Sequence, residues 1–184
     1  MFSRLFGRRK SGNREVVDAV YGEIVAAARQ PVFYAQWGVP DTPLGRYEML
    51  SAHLFLVLRR LREATPAGKA LAQDLTDEFF KDVEHSIREL GIGDAGVPKR
   101  MKKLARMFYG RVAAYDSALA GDDEAALAAA LQRNVRADAQ EWAGARPLAA
   151  SLAATARRLE CWPESEMLRG RSGLQQPQTS EAAA

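Results

Sequence analysis

Residues 41–61 read Asp-Thr-Pro-Leu-Gly-Arg-Tyr-Glu-Met-Leu-Ser-Ala-His-Leu-Phe-Leu-Val-Leu-Arg-Arg-Leu. Thr42 is a good N-cap. Pro43 suits the first helical position, where its missing N–H would be unpaired anyway. Tyr47, Leu50, Leu54, Val57, Leu58 and Leu61 recur at helical spacing as one broad apolar stripe. Met49, Phe55 and Leu56 fall off that stripe, so the helix is apolar almost all round, as a helix packed on several sides must be. Two thin polar lines remain: Arg46, His53 and Arg60, seven apart and nearly in register, and Glu48 with Arg59. The spacing predicts a central helix over about 43–62, with the rest of an all-α, single compact multi-helix bundle packed around it.

The flanking sequence supplies those other helices. Asn13 can cap a first helix with Val16, Val20, Ile24 and Ala27 inward, stopped by Pro31. Residues 30–39 read as a connector with a short helical turn, closed by Gly38. Phe33, Tyr34 and Trp37 within it are either a lid on the core or an exposed docking surface. Thr65-Pro66 repeats the cap-then-proline signal before a long helix with Leu71, Leu75, Phe79, Val83, Ile87 and Leu90 inward, and Gly91 is its natural C-cap. From about 97 to 119, Val97, Met101, Leu104, Phe108, Val112, Tyr115 and Leu119 follow a near-heptad stripe. Asp122 caps a further helix carrying Leu127, Leu131 and Val135. Pro147 opens the last, with Leu148, Leu152, Ala156 and Leu159 inward.

At 184 residues, one domain is the default. The organisation expected is a basic, flexible tail over 1–12, a helical domain over 13–162 and a disordered tail over 163–184. The last is polar and short of the apolar residues that offset ordering entropy. Phe2, Leu5 and Phe6 beside Arg4, Arg8, Arg9 and Lys10 could form an amphipathic turn on lipid. No window approaches the ~18 consecutive apolar residues of a membrane span, and the basic start lacks the apolar run of a secretory signal. The expected location is cytoplasmic and peripheral to a membrane. A single cysteine, Cys161, excludes an internal disulfide and any multi-cysteine metal site.

The formal net charge is only +3, but it is unevenly spread. Lys99, Arg100, Lys102, Lys103, Arg106 and Arg111 form an acid-free run, while residues 74–94 are mostly acidic. Lys99, Lys103, Arg106 and Gly110 share one helical face, flanked by Lys102. Cations near a helix N-terminus oppose its dipole, by ~0.3–1 kcal/mol each when exposed, and a mid-helix glycine costs ~1 kcal/mol relative to alanine. Two local costs on one surface point to an anionic partner: lipid headgroups or RNA. The alternative is a solvated lysine face with a glycine packed against a neighbouring helix.

Enzymatic signals are weak. There is no phosphate loop or dinucleotide fingerprint. Asp82-x-x-His85 has the spacing of half a di-iron helix motif, but His53 has no acid three residues before it. No metal and no cofactor are expected.

Two stretches carry a resemblance. One runs Pro-Val-Phe-Tyr-Ala-Gln-Trp-Gly-Val-Pro-Asp-Thr over 31–42, then Gly-Arg-Tyr-Glu over 45–48 and residues 53–61. The other runs Phe-Phe-Lys-Asp-Val-Glu-His-Ser-Ile-Arg-Glu-Leu-Gly-Ile-Gly-Asp over 79–94. It continues through Val-Pro-Lys-Arg-Met-Lys over 97–102 to Phe-Tyr-Gly-Arg over 108–111 and Ala114-Tyr115. Together they resemble the ubiquinol–cytochrome c chaperone family, assembly factors for cytochrome b of respiratory complex III. The resemblance spans roughly 16–135. Glu84 stands where the family usually has aspartate, which keeps the charge. The resemblance implies a non-enzymatic helical chaperone for newly made cytochrome b, beside a membrane or a ribosome and with room for a second assembly factor. DNA is not among the partners it implies.

Joining the two readings, Phe33, Tyr34, Trp37, Val39 and Tyr47 are the expected client-binding residues. Lys99, Lys102, Lys103, Arg106 and Gly110 are the expected anionic-surface site, and Arg88, Glu89, Asp94 and Arg111 an expected buried polar network. An RNA-binding module using the basic face is the first rival, and a metalloenzyme using His53, His85, Asp82 and Glu84 the second.

Overall fold

The computed structural model describes residues 3–174, with side chains from residue 13 onward. Among the described residues there are eight helices and no strand: α1 (Ser3–Ala28), α2 (Pro31–Ala35), α3 (Pro43–Leu61), α4 (Pro66–Glu89), α5 (Val97–Ala120), α6 (Glu124–Val135), α7 (Ala145–Glu160) and α8 (Glu164–Met167). Proline stands in the first turn of α2, α3, α4 and α5, where its locked φ costs nothing. Thr42 Oγ1 accepts from Gly45 N–H at 3.1 Å, as its position before Pro43 predicts.

The central helix is α3. It touches α1, α4, α5, α6 and α7. It is apolar all round because it serves two cores. Met49, Ala52, Phe55 and Leu56 face the connector, α6 and α7. Tyr47, Leu54, Val57 and Leu61 face α1 and α4. Helix α5 divides in the same way, with Phe108 in the second core and Tyr115 in the first.

Several boundaries move. Helix α1 starts at Ser3 rather than Asn13; the expected amphipathic turn lies outside the residues whose side chains are described. Asp122 is not the cap of α6. It takes φ 48°, a left-handed conformation that aspartate tolerates, and closes the turn after α5. The cap is Asp123, whose carboxylate accepts from Ala126 N–H at 2.8 Å. Leu90, expected inward, is 59% exposed because the helix ends at Glu89 and the backbone turns away through Gly91 (φ 77°).

Order does not end at Pro163. Met167 in α8 is fully buried, and the chain continues packed to Leu174. Ser172 gives its N–H (2.7 Å) and hydroxyl (2.6 Å) to one oxygen of Glu23. The Trp162 ring lies over Gly173, and its Nε1 donates to Arg171 O at 3.1 Å. Arg60 of α3 donates twice to Trp162 O, and Glu164 accepts from Thr65 at the start of α4. Polar composition suggested disorder, but here polar groups find fixed partners on a surface that the bundle has already built. Residues 175–184 lie outside the described residues.

Candidate functional site: an apolar groove and a basic helix face

The aromatic connector is a lid. Phe33 is 1% exposed, its ring 5.4 Å from those of both Trp37 and His53. Val39 is buried as well. Tyr34 is half-buried and donates to Ala28 O at 3.0 Å. Two glycines let other segments clamp this connector. A Cβ on Gly45 would sit 1.9 Å from Pro40 O, and one on Gly144 would sit 1.8 Å from Trp37 O. Trp142 completes the clamp by donating from Nε1 to that same Trp37 oxygen at 2.6 Å. Phe33 and Val39 are therefore packing residues, not a presented surface, and Tyr34 and Trp37 are tied down at its edge.

Of the five expected client residues, Tyr47 lines a recess. Its ring is buried against Phe79, its hydroxyl donates to Leu104 O at 2.7 Å, and burial pushes its pKa up to about 12. The recess is a groove of about 450 Å³ where α1, α3, α4 and α5 fail to close. Val25 and Ala28 come from α1, Leu44, Tyr47 and Leu50 from α3, Val83 and Ile87 from α4, and Leu104 from α5, with Leu90 just beyond α4. Arg29, Arg46, Asp82 and Glu89 also line it. Arg46 is held by Asp41 at 2.6 Å, which keeps the Asp41 carboxyl below its ordinary range. Asp82 accepts from Tyr21 OH at 2.9 Å. Leu44 and Leu90 are 51% and 59% exposed. Spacing alone marks neither as open, because Leu44 lies in the first turn, off the stripe, and Leu90 shares the inward spacing of α4.

The expected polar network separates into three parts. Arg88 pairs with Asp94 and with Glu84 (2.8 Å), spanning the α4–α5 turn at the surface. Glu89 pairs instead with His85 at 3.1 Å. Arg111 points the other way, into the bundle, where both its prongs meet Glu48 of α3. Helix phase explains the split, because Arg111 faces Glu48 of α3 while Arg88 and Glu89 close α4 on its exposed side. The Glu48 side chain is wholly inaccessible, and burial raises its pKa against the opposing pull of Arg111.

Lys99, Lys102, Lys103, Arg106 and Gly110 are all exposed on the outer face of α5. A Cβ on Gly110 would meet nothing within 4 Å, so no neighbouring helix calls for glycine there. The two histidines lie apart. His53 is buried with Nδ1 2.8 Å from Met49 O, and His85 is exposed on α4. Among the described residues no three His, Cys, Asp or Glu side chains converge, and no helix is long and apolar enough to cross a membrane.

Residues 35–174 match the family described as Ubiquinol-cytochrome C chaperone. The chain is similar to ubiquinol-cytochrome-c reductase complex assembly factor 1 of Xenopus laevis, 28% identical over 103 residues, covering 56% of this chain and 51% of that protein. The Mus musculus protein is 28% identical over 101 residues, covering 55% of this chain and 34% of its own length. The chain thus spans about half or less of these curated relatives. Among solved structures, the Cbp3 homolog from Brucella abortus superposes with a TM-score of 0.85 at 57% identity, covering 92% of this chain and 94% of that one.

Proposed function

The chain belongs to the ubiquinol-cytochrome c chaperone family, and from that premise we propose that it is a non-catalytic assembly factor for respiratory complex III that shields newly made cytochrome b. The observation that carries this reading is the open apolar groove with Leu44 and Leu90 at its mouth. A folded protein of this size gains by covering such leucines, and a contiguous apolar recess marks a binding surface. Its volume falls within the ~300–1,000 Å³ of ligand sites and matches a few side chains from one face of an apolar helix laid in a groove. Cytochrome b is made of such helices. Arg29 and Arg46, with Asp82 and Glu89 of α4, are the charged groups of the lining that would meet polar parts of the segment.

The client surface differs from the one expected from sequence: Tyr47 stays, and Phe33, Tyr34, Trp37 and Val39 give way to Leu44, Leu50, Ile87 and Leu90. The test is deletion of the gene in its host, followed by assay of cytochrome b and complex III and by complementation. Both should fall on deletion and return with the parent gene, while a Leu44→Asp, Leu90→Asp variant should fold normally and fail to restore them. Normal complex III after deletion removes the function. Full rescue by the variant removes the groove from it.

A further inference from the structure

We propose that the outer face of α5 docks on an anionic lipid bilayer. Lys99, Lys102, Lys103 and Arg106 are exposed, and among the described residues none has a carboxylate at ion-pairing distance. Arg29, Lys69, Arg133 and Arg146 are exposed without an acidic partner too, but they are scattered along the chain, whereas these four stand together on one helix. Arg14, Arg46, Arg62 and Arg157, also half or more exposed, each have an acidic partner. At the end of α4 and in the turn before α5, Glu84 and Asp94 are engaged by Arg88 and Glu89 by His85. The cations also occupy the N-terminal half of α5, where each opposes the helix dipole. The fold therefore leaves this charge uncompensated, ready for an anion outside the chain.

The shape of the face selects the anion. Positions 99, 102, 103, 106, 109 and 110 recur three or four apart on one rigid helix, a straight row of about 16 Å at ~1.5 Å per residue. Tyr109 continues the row, 59% exposed and braced by the rings of Phe80 and Phe108. Tyrosine at the end of a cationic row suits the headgroup level of a bilayer, where an amphipathic ring sits half in each medium. Gly110 beside it adds no side chain to that end of the face, and no neighbour fills the space. Single-stranded RNA would favour rings interleaved with the cations, and bidentate arginine rather than lysine. This face has one ring, at its end, and mostly lysine. It is separate from the groove, whose α5 contribution is Leu104 on another side of the helix.

The experiment is co-sedimentation of the full chain with vesicles of pure phosphatidylcholine, and of phosphatidylcholine mixed equally with phosphatidylserine. Binding to the anionic vesicles alone, weakening as salt rises, is the expected result. Each basic residue at a bilayer surface contributes about fivefold in partitioning, so a Lys99→Gln, Lys103→Gln, Arg106→Gln variant should bind roughly a hundredfold more weakly. Its melting temperature should not fall, because these side chains have no hydrogen-bond or ion-pair partner among the described residues and their charges oppose the helix dipole. Tyr109→Ala should bind more weakly at every salt concentration. The Leu44→Asp, Leu90→Asp variant should bind vesicles like the parent, so the groove and the basic face stand or fall separately. Equal binding to both vesicle types overturns the proposal. So does a triple variant that binds like the parent, which would move the contact to another basic segment such as the N-terminal arginines. So does a single-stranded RNA oligonucleotide that binds more tightly and displaces the vesicles.

Discussion

Glu48 and Arg111 form a two-pronged ion pair between α3 and α5, with both carboxylate oxygens taken by one guanidinium inside the bundle. It joins the Gly-Arg-Tyr-Glu and Phe-Tyr-Gly-Arg stretches, 63 residues apart in the chain. Tyr47 of the first stretch also donates to Leu104 O, one turn before the second.

Removing one partner leaves the other charge buried and alone. Arg111→Met should cost about 3 kcal/mol of stability, within the range for breaking a buried pair. The double variant Glu48→Met, Arg111→Met should recover most of that, since two apolar side chains of similar volume carry no desolvation penalty. Urea unfolding of the parent, both single variants and the double variant measures the coupling. A single variant as stable as the parent contradicts the assignment.

His53 links stability to pH. Burial lowers its pKa from 6.5 to about 4. The unfolded chain therefore binds a proton that the folded chain resists between those values. The stability that this group contributes is fully present above about pH 6.5 and is lost as pH falls toward 4. Between pH 7.5 and pH 5 the loss should be about 2 kcal/mol. His53→Leu should remove that part of the slope, as the difference in urea midpoint between the two pH values would show. An identical slope in parent and variant would rule it out.

The segment after α7 should behave as part of the domain. Met167→Ala should destabilise by about 3 kcal/mol, as truncation of a fully buried side chain does. Ser172→Ala should cost about 1 kcal/mol through the hydroxyl bond to Glu23. Thermal melts of both variants check this, and a disordered segment would show no change in either.

The closed connector depends on bare backbone. Gly144→Ala should cost at least about 2 kcal/mol, because its Cβ would fall 1.8 Å from Trp37 O and the connector must move. Gly110→Ala, where the added carbon meets nothing, should instead stabilise α5 by about 1 kcal/mol. Opposite signs in denaturant unfolding are the expected outcome; equal effects would contradict the described packing.

The sequence by itself determined the all-helical bundle, its central helix and most of its inward faces. Those follow from caps, prolines and apolar spacing within single segments, as at Thr42-Pro43 and along 47–61. It also showed the basic face of α5, because exposure of charge follows from helix phase. Only the tertiary structure decided which residues pair across segments: Arg111 with Glu48 rather than with the α4–α5 turn, and Ser172 with Glu23. It likewise decided that Phe33 is sealed while Leu44 and Leu90 stand open. Apolar character is a local property, but whether an apolar side chain is covered depends on where distant helices stop, and residue spacing within one segment carries no record of that.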